Sequence, residues 1–158
     1  MTDTKDSAAK LVEAFNNHDE NALHAIHAAG IKFEAPGGIR LEGSDAVTGY
    51  AMTWLKGFPD AKITVRSEVV NGPWLVQEFT LQGTHTAPLK SPAGMIPPTG
   101  KRIDSRAVSV GRYENGQNVE ARLYCDQAGA MTTRGLLTQR VANSEGQAVR
   151  RGTTGPVG

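Results

Sequence analysis

The chain has 158 residues, and its 17 Lys and Arg residues are balanced by 16 Asp and Glu residues, for a formal net charge of +1. This length fits one domain that buries about two thirds of the surface of its unfolded form. The balanced charge argues against a nucleic-acid-binding surface, and no segment approaches the roughly 20 apolar residues of a membrane span. The single cysteine, Cys125, excludes an internal disulfide and a cysteine-based metal cluster, so we expect a cytoplasmic protein.

The N-terminal part of the chain predicts three helices. Apolar residues from Ala8 to Phe15 recur at helical spacing, and the later segments follow residues that favour helix N-caps. The predicted helices are 4–17, 20–29 with Asp19 as its cap, and 45–58 with Ser44 as its cap.

The middle of the chain predicts a sheet. Residues 31–43 read as a small hairpin around a Pro-Gly-Gly turn, and Asn71-Gly72 and "ENGQN" supply two further turns. Three helices followed by antiparallel strands predict an α+β domain over residues 1–140, with the helices on one face of a curved sheet. Residues 141–158 carry few large apolar side chains and are predicted to be a disordered tail. The longer predicted strands are 61–71, 74–86, 102–114 and 118–126.

Strand alternation assigns side chains to faces of this sheet. His85 shares a face with Phe79 and Leu81, which is the better candidate for the interior. In the last strand, Glu120, Arg122, Tyr124 and Asp126 lie opposite an apolar set. The pattern of that strand alone leaves open which face points inward.

Six segments occur in an order that resembles the SnoaL-like polyketide cyclases. They are "NNHDENAL", "GFPDAKITV", "LQGTHTAPL", "IPPTGKRID", "RYENGQNV" and "YCDQAG". The resemblance implies a nuclear-transport-factor-2-like fold, in which a cone-shaped, strongly curved, mostly antiparallel sheet encloses a pocket. It also implies an intramolecular aldol ring closure without a metal or organic cofactor, and a homodimer or higher homo-oligomer.

The resemblance also implies site residues. Asp126 matches the family's acid/base aspartate, and His85 matches the histidine of its usual "GTHTG" segment. If Asp126 faces the pocket, Arg122 and Tyr124 face it as well. The chain departs from the family where Arg122 replaces a common aromatic residue, and in "DQAGAMTTRGLL", where Thr133 and Arg134 replace Gln and Leu.

Aldol closure requires removal of a proton next to a carbonyl and stabilisation of the resulting enolate. A carboxylate in an apolar pocket suits the first task, and an imidazole that donates a hydrogen bond suits the second. Asp126 and His85 are therefore the candidate catalytic residues. The alternatives are that Asp126 caps a following helix and that His85 is a core histidine bonded to the backbone.

The remaining candidates are predicted to bind substrate. An aromatic stripe on the third helix is suited to stacking a small hydrophobic or aromatic compound, although such stripes are more often plain core. An inward-facing arginine would bind an anionic group or pair with Asp104 or Glu78. The candidate substrate-binding residues are Tyr50, Trp54, Phe58, Phe79, Arg122 and Tyr124.

Other readings remain open. His24 and His27 lack a third ligand nearby, so no metal site is expected. The Pro-rich loop 90–101 is either a lid or a rigid connector. A limonene-epoxide-hydrolase-like enzyme is a second function, but its key acid would align with Leu123. A non-catalytic small-molecule-binding protein is the third, because function does not follow from fold.

Overall fold

The computed structural model describes residues 3–91 and 93–126. It contains the three predicted helices, with caps that explain where two of them begin. Asp3 and Asp19 accept hydrogen bonds from the backbone N–H groups of Lys5 and Ala22, so each satisfies an amide of the first helical turn. The helices are α1 (Thr4–Asn16), α2 (Glu20–Ile26) and α3 (Ser44–Gly57).

Two helix boundaries differ from the prediction. Helix α2 ends at Ile26, and His27 already begins a strand, so the predicted helical stretch to residue 29 is wrong. The N-cap of α3 is Gly43, which has φ 99° and makes no side-chain capping bond, so Ser44 is the first helical residue and not the cap. A glycine suits this φ because it lacks the Cβ atom that would clash.

The main sheet has six strands in the order β2-β1-β8-β7-β4-β3. Its neighbouring pairs are antiparallel, except that β1 and β8 run parallel. The β7–β8 hairpin turns through Asn115 and Gly116, both with positive φ, as the Asn-Gly signal predicts. The six strands are β1 (His27–Ala35), β2 (Ile39–Glu42), β3 (Lys62–Asn71), β4 (Trp74–Thr84), β7 (Arg102–Glu114) and β8 (Gln117–Cys125).

The Pro-rich loop forms a separate ladder. Strands β5 (Leu89–Ser91) and β6 (Gly94–Ile96) pair with each other and not with the main sheet. Leu89 is buried against the end of α3, where its side chain would meet any Cβ added at Gly57. The base of the loop is therefore fixed to the C-terminal end of α3.

The helices cover one face of the sheet, which we call the inner face. Leu75 of β4 packs against Ala8 of α1, and the strand register places Leu75 opposite Gly111 and Gly111 opposite Ala121. Residues that alternate with these lie on the opposite, outer face. The α+β architecture with helices on one face of a curved sheet confirms the predicted fold. The main core consists of Ala14, Phe15, Leu23, Leu55, Phe58, Ala61, Leu89 and Ile103.

Asn16 covers the backbone of the edge strand β3. Its side-chain amide donates to the carbonyl oxygen of Ile63 at 2.9 Å and accepts from the N–H of Ile63 at 2.7 Å. These are the two bonds that a further strand would make. The last residue of α1 therefore replaces a neighbouring strand at one position of the edge.

No described helix is long and apolar enough to cross a membrane. The predicted tail 141–158 and the departures at Thr133 and Arg134 lie outside the described residues.

The Asn16→Ala variant is expected to lower the free energy of unfolding by about 1–3 kcal/mol, because both backbone groups of Ile63 lose a partly buried partner. Urea denaturation measures this loss. The neighbouring Asn17→Ala variant is the control and should stay within about 0.5 kcal/mol of the parent. Equal losses in the two variants would contradict the edge-covering role of Asn16.

Candidate functional site

An aromatic stripe runs along α3 towards the inner face. Tyr50, Trp54 and Phe58 are spaced by four residues and so lie on one side of the helix. The Tyr50 ring lies 5.3 Å from that of Phe33 on β1, and the Trp54 ring lies 5.7 Å from that of Phe58. Tyr50 and Trp54 are half-buried, which leaves part of each ring accessible to a ligand, whereas Phe58 is a core residue at 1% exposure.

The inner face of the sheet combines large apolar side chains with small or polar ones. Phe79 and Leu81 of β4 are half-buried and face Ala107 and Ser105 of β7. Cys125 of β8 continues the row of Phe79 and Ala107, and Leu123 continues the next row, which contains Ser109 and the buried Gln77. Trp54 of α3 and Leu81 of β4 both pack against the main core.

His85 lies at the end of β4 and has no exposed surface. Its ring stacks on Phe58 at 5.1 Å, and Nδ1 lies 3.0 Å from the Thr99 hydroxyl. Its backbone N–H donates to the Lys101 carbonyl and its carbonyl accepts from the Gly100 N–H. His85 therefore closes the neck of the loop from 86 to 100, and a direct contact with a ligand would require it to become accessible.

Arg122 and Tyr124 lie on the outer face, so the expectation that they point inward is wrong. The register pairs Arg122 with Val110 and Tyr124 with Val108, which alternate with the inner-face pair Gly111 and Ala121. Tyr124 is 54% exposed. The physical reason is that the apolar side chains of β8, and not its polar ones, cover the inner face.

Arg122 finds its acidic partner on its own strand. Its guanidinium lies 5.8 Å from the Trp74 ring and donates to Glu120 at 3.3 Å. Arg112 approaches the same ring at 5.9 Å and the same carboxylate at 3.3 Å. Two cations therefore share one indole ring and one carboxylate. The acidic partner of Arg122 is Glu120, and not Asp104 or Glu78 as the sequence suggested.

The outer face of β8, β1 and β2 carries alternating charges. One row places Glu120 beside Lys32 and Lys32 beside Glu42. The next row reverses the signs with Arg122, Glu34 and Arg40. We call these six residues the charge checkerboard. Each exposed pair contributes little stability, but every charge has opposite charges as neighbours.

Asp126 follows directly after the end of β8 and is exposed. It lines an outer-face groove of about 980 Å³, together with arginine, carboxylate and hydroxyl groups. Phe79, Ala107 and Val108 also line the groove, whereas Tyr50, Trp54, Phe58 and His85 do not. Whether Asp126 also caps a helix depends on residues outside the described part of the chain. The polar lining of the groove consists of Arg66, Glu78, Thr80, Asp104, Arg106, Tyr124, Cys125 and Asp126.

The two histidines considered as metal ligands bind other partners. His24 contacts Asp45 at 2.7 Å, and His27 contacts the Thr48 hydroxyl at 2.9 Å. Among the described residues, no group of three His, Cys, Asp or Glu side chains is placed to hold a metal ion.

Comparisons with known proteins agree with the observed fold. A profile of the SnoaL-like polyketide cyclases matches residues 5–134, which is most of the chain. This chain belongs to that family. A search of curated proteins finds no match.

Solved structures share the fold of this SnoaL-like protein at low identity. A candidate SnoaL-like polyketide cyclase from Jannaschia sp. CCS1 is 20% identical, with a TM-score of 0.73, over 82% of this chain and 90% of that one. IdmH, a candidate polyketide cyclase from Streptomyces antibioticus, is 24% identical, with a TM-score of 0.71, over 85% and 99%. AclR, a candidate hydroxylase from Streptomyces galilaeus, is 21% identical, with a TM-score of 0.70, over 84% and 95%. At these identities the likeness establishes the fold.

Two variants of the SnoaL-like domain distinguish a ligand bound on the inner face of the sheet from one bound on the outer face. Tyr50→Ala is expected to weaken binding of a neutral planar dye such as Nile red about 2- to 10-fold, because an aromatic contact is lost. Arg122→Gln should leave that affinity unchanged, because its side chain lies behind the sheet. Fluorescence titration measures both affinities. An equal loss in the two variants would show that Arg122 reaches the pocket.

Proposed function

We propose that this protein binds a small hydrophobic or aromatic carbonyl compound between α3 and the inner face of the sheet. We further propose that it acts on that compound as a cofactor-free, polyketide-cyclase-like enzyme of the lyase or isomerase type. The observation that carries the proposal is the half-buried pair Tyr50 and Trp54, whose rings lie beside Phe33 and Phe58 on the helix side of the sheet. Membership of the SnoaL-like family supports the reaction class.

The proposed reaction is an intramolecular aldol closure. A base removes a proton from the carbon next to one carbonyl, and the resulting enolate carbon forms a C–C bond to a second carbonyl carbon of the same molecule. The alkoxide that forms takes the proton back, so no oxidant, reductant or cofactor is consumed. Stabilisation of the enolate oxygen is the largest demand on the protein.

In this proposal Asp126 is the acid/base. Because it follows the last residue of β8, the reacting carbon must lie at the rim of the sheet, beyond the end of that strand. His85 acts as a positioning residue, since its buried ring supports Phe58 and the loop neck. A substrate that extends from the aromatic stripe to this rim would meet both requirements.

Binding without turnover is the second candidate function. Within β4, β7 and β8, all of which the structure describes, the inner face carries no carboxylate, and Asp126 lines the outer groove. The position that aligns with the key acid of an epoxide hydrolase is Leu123, so that reaction gains no support.

Asp126→Asn tests the catalytic proposal. With a panel of small aromatic diketones, we expect turnover to fall by about 100-fold or more while binding is kept, because general acid/base catalysis contributes about that much. Asp104→Asn is the matched control, since Asp104 is an exposed carboxylate of the same groove. Mass spectrometry follows both product and bound ligand. Full turnover by Asp126→Asn would refute the acid/base role, and binding by the parent without turnover would favour the second candidate.

We infer that two copies pair through the outer face of β3, β4 and β7, away from the charge checkerboard. Val69 and Val76 are neighbours across β3 and β4, at 68% and 38% exposure. Exposed apolar side chains on one sheet face favour such pairing.

We also propose that the protein is cytoplasmic, and cell fractionation would test this location.

Val76→Asp is expected to convert the dimer into a monomer, because it buries an unpaired charge in the contact. Light scattering coupled to size-exclusion chromatography measures the mass. Met95→Asp is the control, because Met95 is 61% exposed but lies on the separate β5–β6 ladder. A parent protein that is monomeric at micromolar concentration would contradict the inference.

A further inference from the structure

Two histidines with matched spacing, His24 near the end of α2 and His27 at the start of β1, contact α3. His24 and His27 are three residues apart, and so are their partners Asp45 and Thr48 on α3. The outer pair, His24 with Asp45, is exposed, and the inner pair is buried. One end of α3 is therefore held by two side-chain contacts in very different surroundings.

The inner pair belongs to a buried polar row. His27 lies beside Asn118, and Asn118 lies beside Tyr113, so three neighbouring strands contribute one residue each. These residues and Thr48 are 3% to 8% exposed. Among titratable groups of the neighbouring elements, His24 of α2 acts on the charge of His27, Asp45 of α3 contacts His24, and Tyr113 of β7 lies two strands from His27. Asn118 and Thr48 are uncharged.

The surroundings of the row keep it uncharged near neutral pH. Burial, with a smaller contribution from the charge on His24, lowers the pKa of His27 from 6.5 to about 4. Burial raises the pKa of Tyr113 from 10.0 to about 12. In the described part of the chain, the Asn118 Oδ1 atom is buried without a hydrogen-bond donor.

We propose that the His27–Thr48 contact is a proton-sensitive clasp that holds the first half of α3 against the sheet. A protonated His27 places a full charge in a buried site whose neighbours Thr48 and Asn118 are uncharged. The closed contact therefore disfavours the imidazolium, and protonation favours a state in which the contact with Thr48 opens and water reaches the ring. Because α3 also carries Tyr50 and Trp54, acid loosens the wall of the binding site.

The direction of the pH effect follows from linkage. The clasped state has the lower pKa, so the open state binds more protons between about pH 4 and 6.5. The clasp is fully effective above pH 6.5 and is lost as the pH falls towards 4. Between pH 7.5 and pH 5.0, the two pKa values correspond to an increase of roughly 10- to 30-fold in the opening equilibrium.

Hydrogen exchange of the backbone amides tests the clasp without any ligand. After correction for intrinsic rates, α3 protection in the parent should fall roughly 10- to 30-fold from pH 7.5 to pH 5.0, while β4 and β7 keep theirs. In His27→Asn, whose amide retains a polar group near the position of Nδ1, protection should be independent of pH. His24→Asn is the matched control and should keep the acid response.

Uniform loss of protection throughout the sheet, or an unchanged acid response in His27→Asn, would overturn the clasp. If His27→Asn does not fold, Thr48→Val replaces it. That variant should show loosened α3 amides already at pH 7.5, and parent-like protection would overturn the proposal.

The effect on ligand binding rests on the proposed function. Dye affinity should fall in acid for the parent and not for His27→Asn. Acid-sensitive exchange in α3 without any dye binding would refute the proposed site and leave the clasp in place.

Discussion

The register between β7 and β8 decides what this protein presents to each side of its sheet. The pairing of Gly111 with Ala121 sends Leu123 and Cys125 towards the helices, and it sends Arg122 and Tyr124 away from them. A slip by one residue would exchange the two sets, because side chains alternate along a strand. Half-burial of Leu123 and Cys125 on the inner face opposes such a slip, since the slip would place a guanidinium there. The sides on which the β8 residues of the groove and of the charge checkerboard lie both follow from this one pairing.

Much of the fold could be predicted because the local signals agree with the final packing. Asp19 caps α2, and Asn115-Gly116 turns between β7 and β8, since each of these residues favours the backbone that it adopts. The start of β1 at His27 could not be predicted, because "HAIHAA" suits a helix and only pairing with β8 makes it a strand. The parallel pairing of β1 with β8 joins distant parts of the chain and has no local signal.

The candidate site was predicted in part. The stripe of Tyr50 and Trp54 follows from helical spacing, and the burial of His85 agrees with its place beside Phe79 and Leu81. Phe33 was missed because it lies in a short hairpin whose position over α3 depends on the β1–β8 pairing. The side to which Arg122 points depends on whether the apolar or the polar residues of β8 face the helices. The apolar alternation of Ala121, Leu123 and Cys125 was the available signal.

The charge checkerboard also determines the electrostatic field that this surface presents to distant ions. Opposite charges one strand apart cancel each other's fields within a few ångströms, well inside the screening length of about 8 Å at physiological salt. That part of the surface therefore neither attracts nor repels an approaching ion, and it gives no electrostatic steering. Encounter of a small neutral molecule with this part of the surface should then depend on diffusion alone, at a rate that is nearly independent of ionic strength.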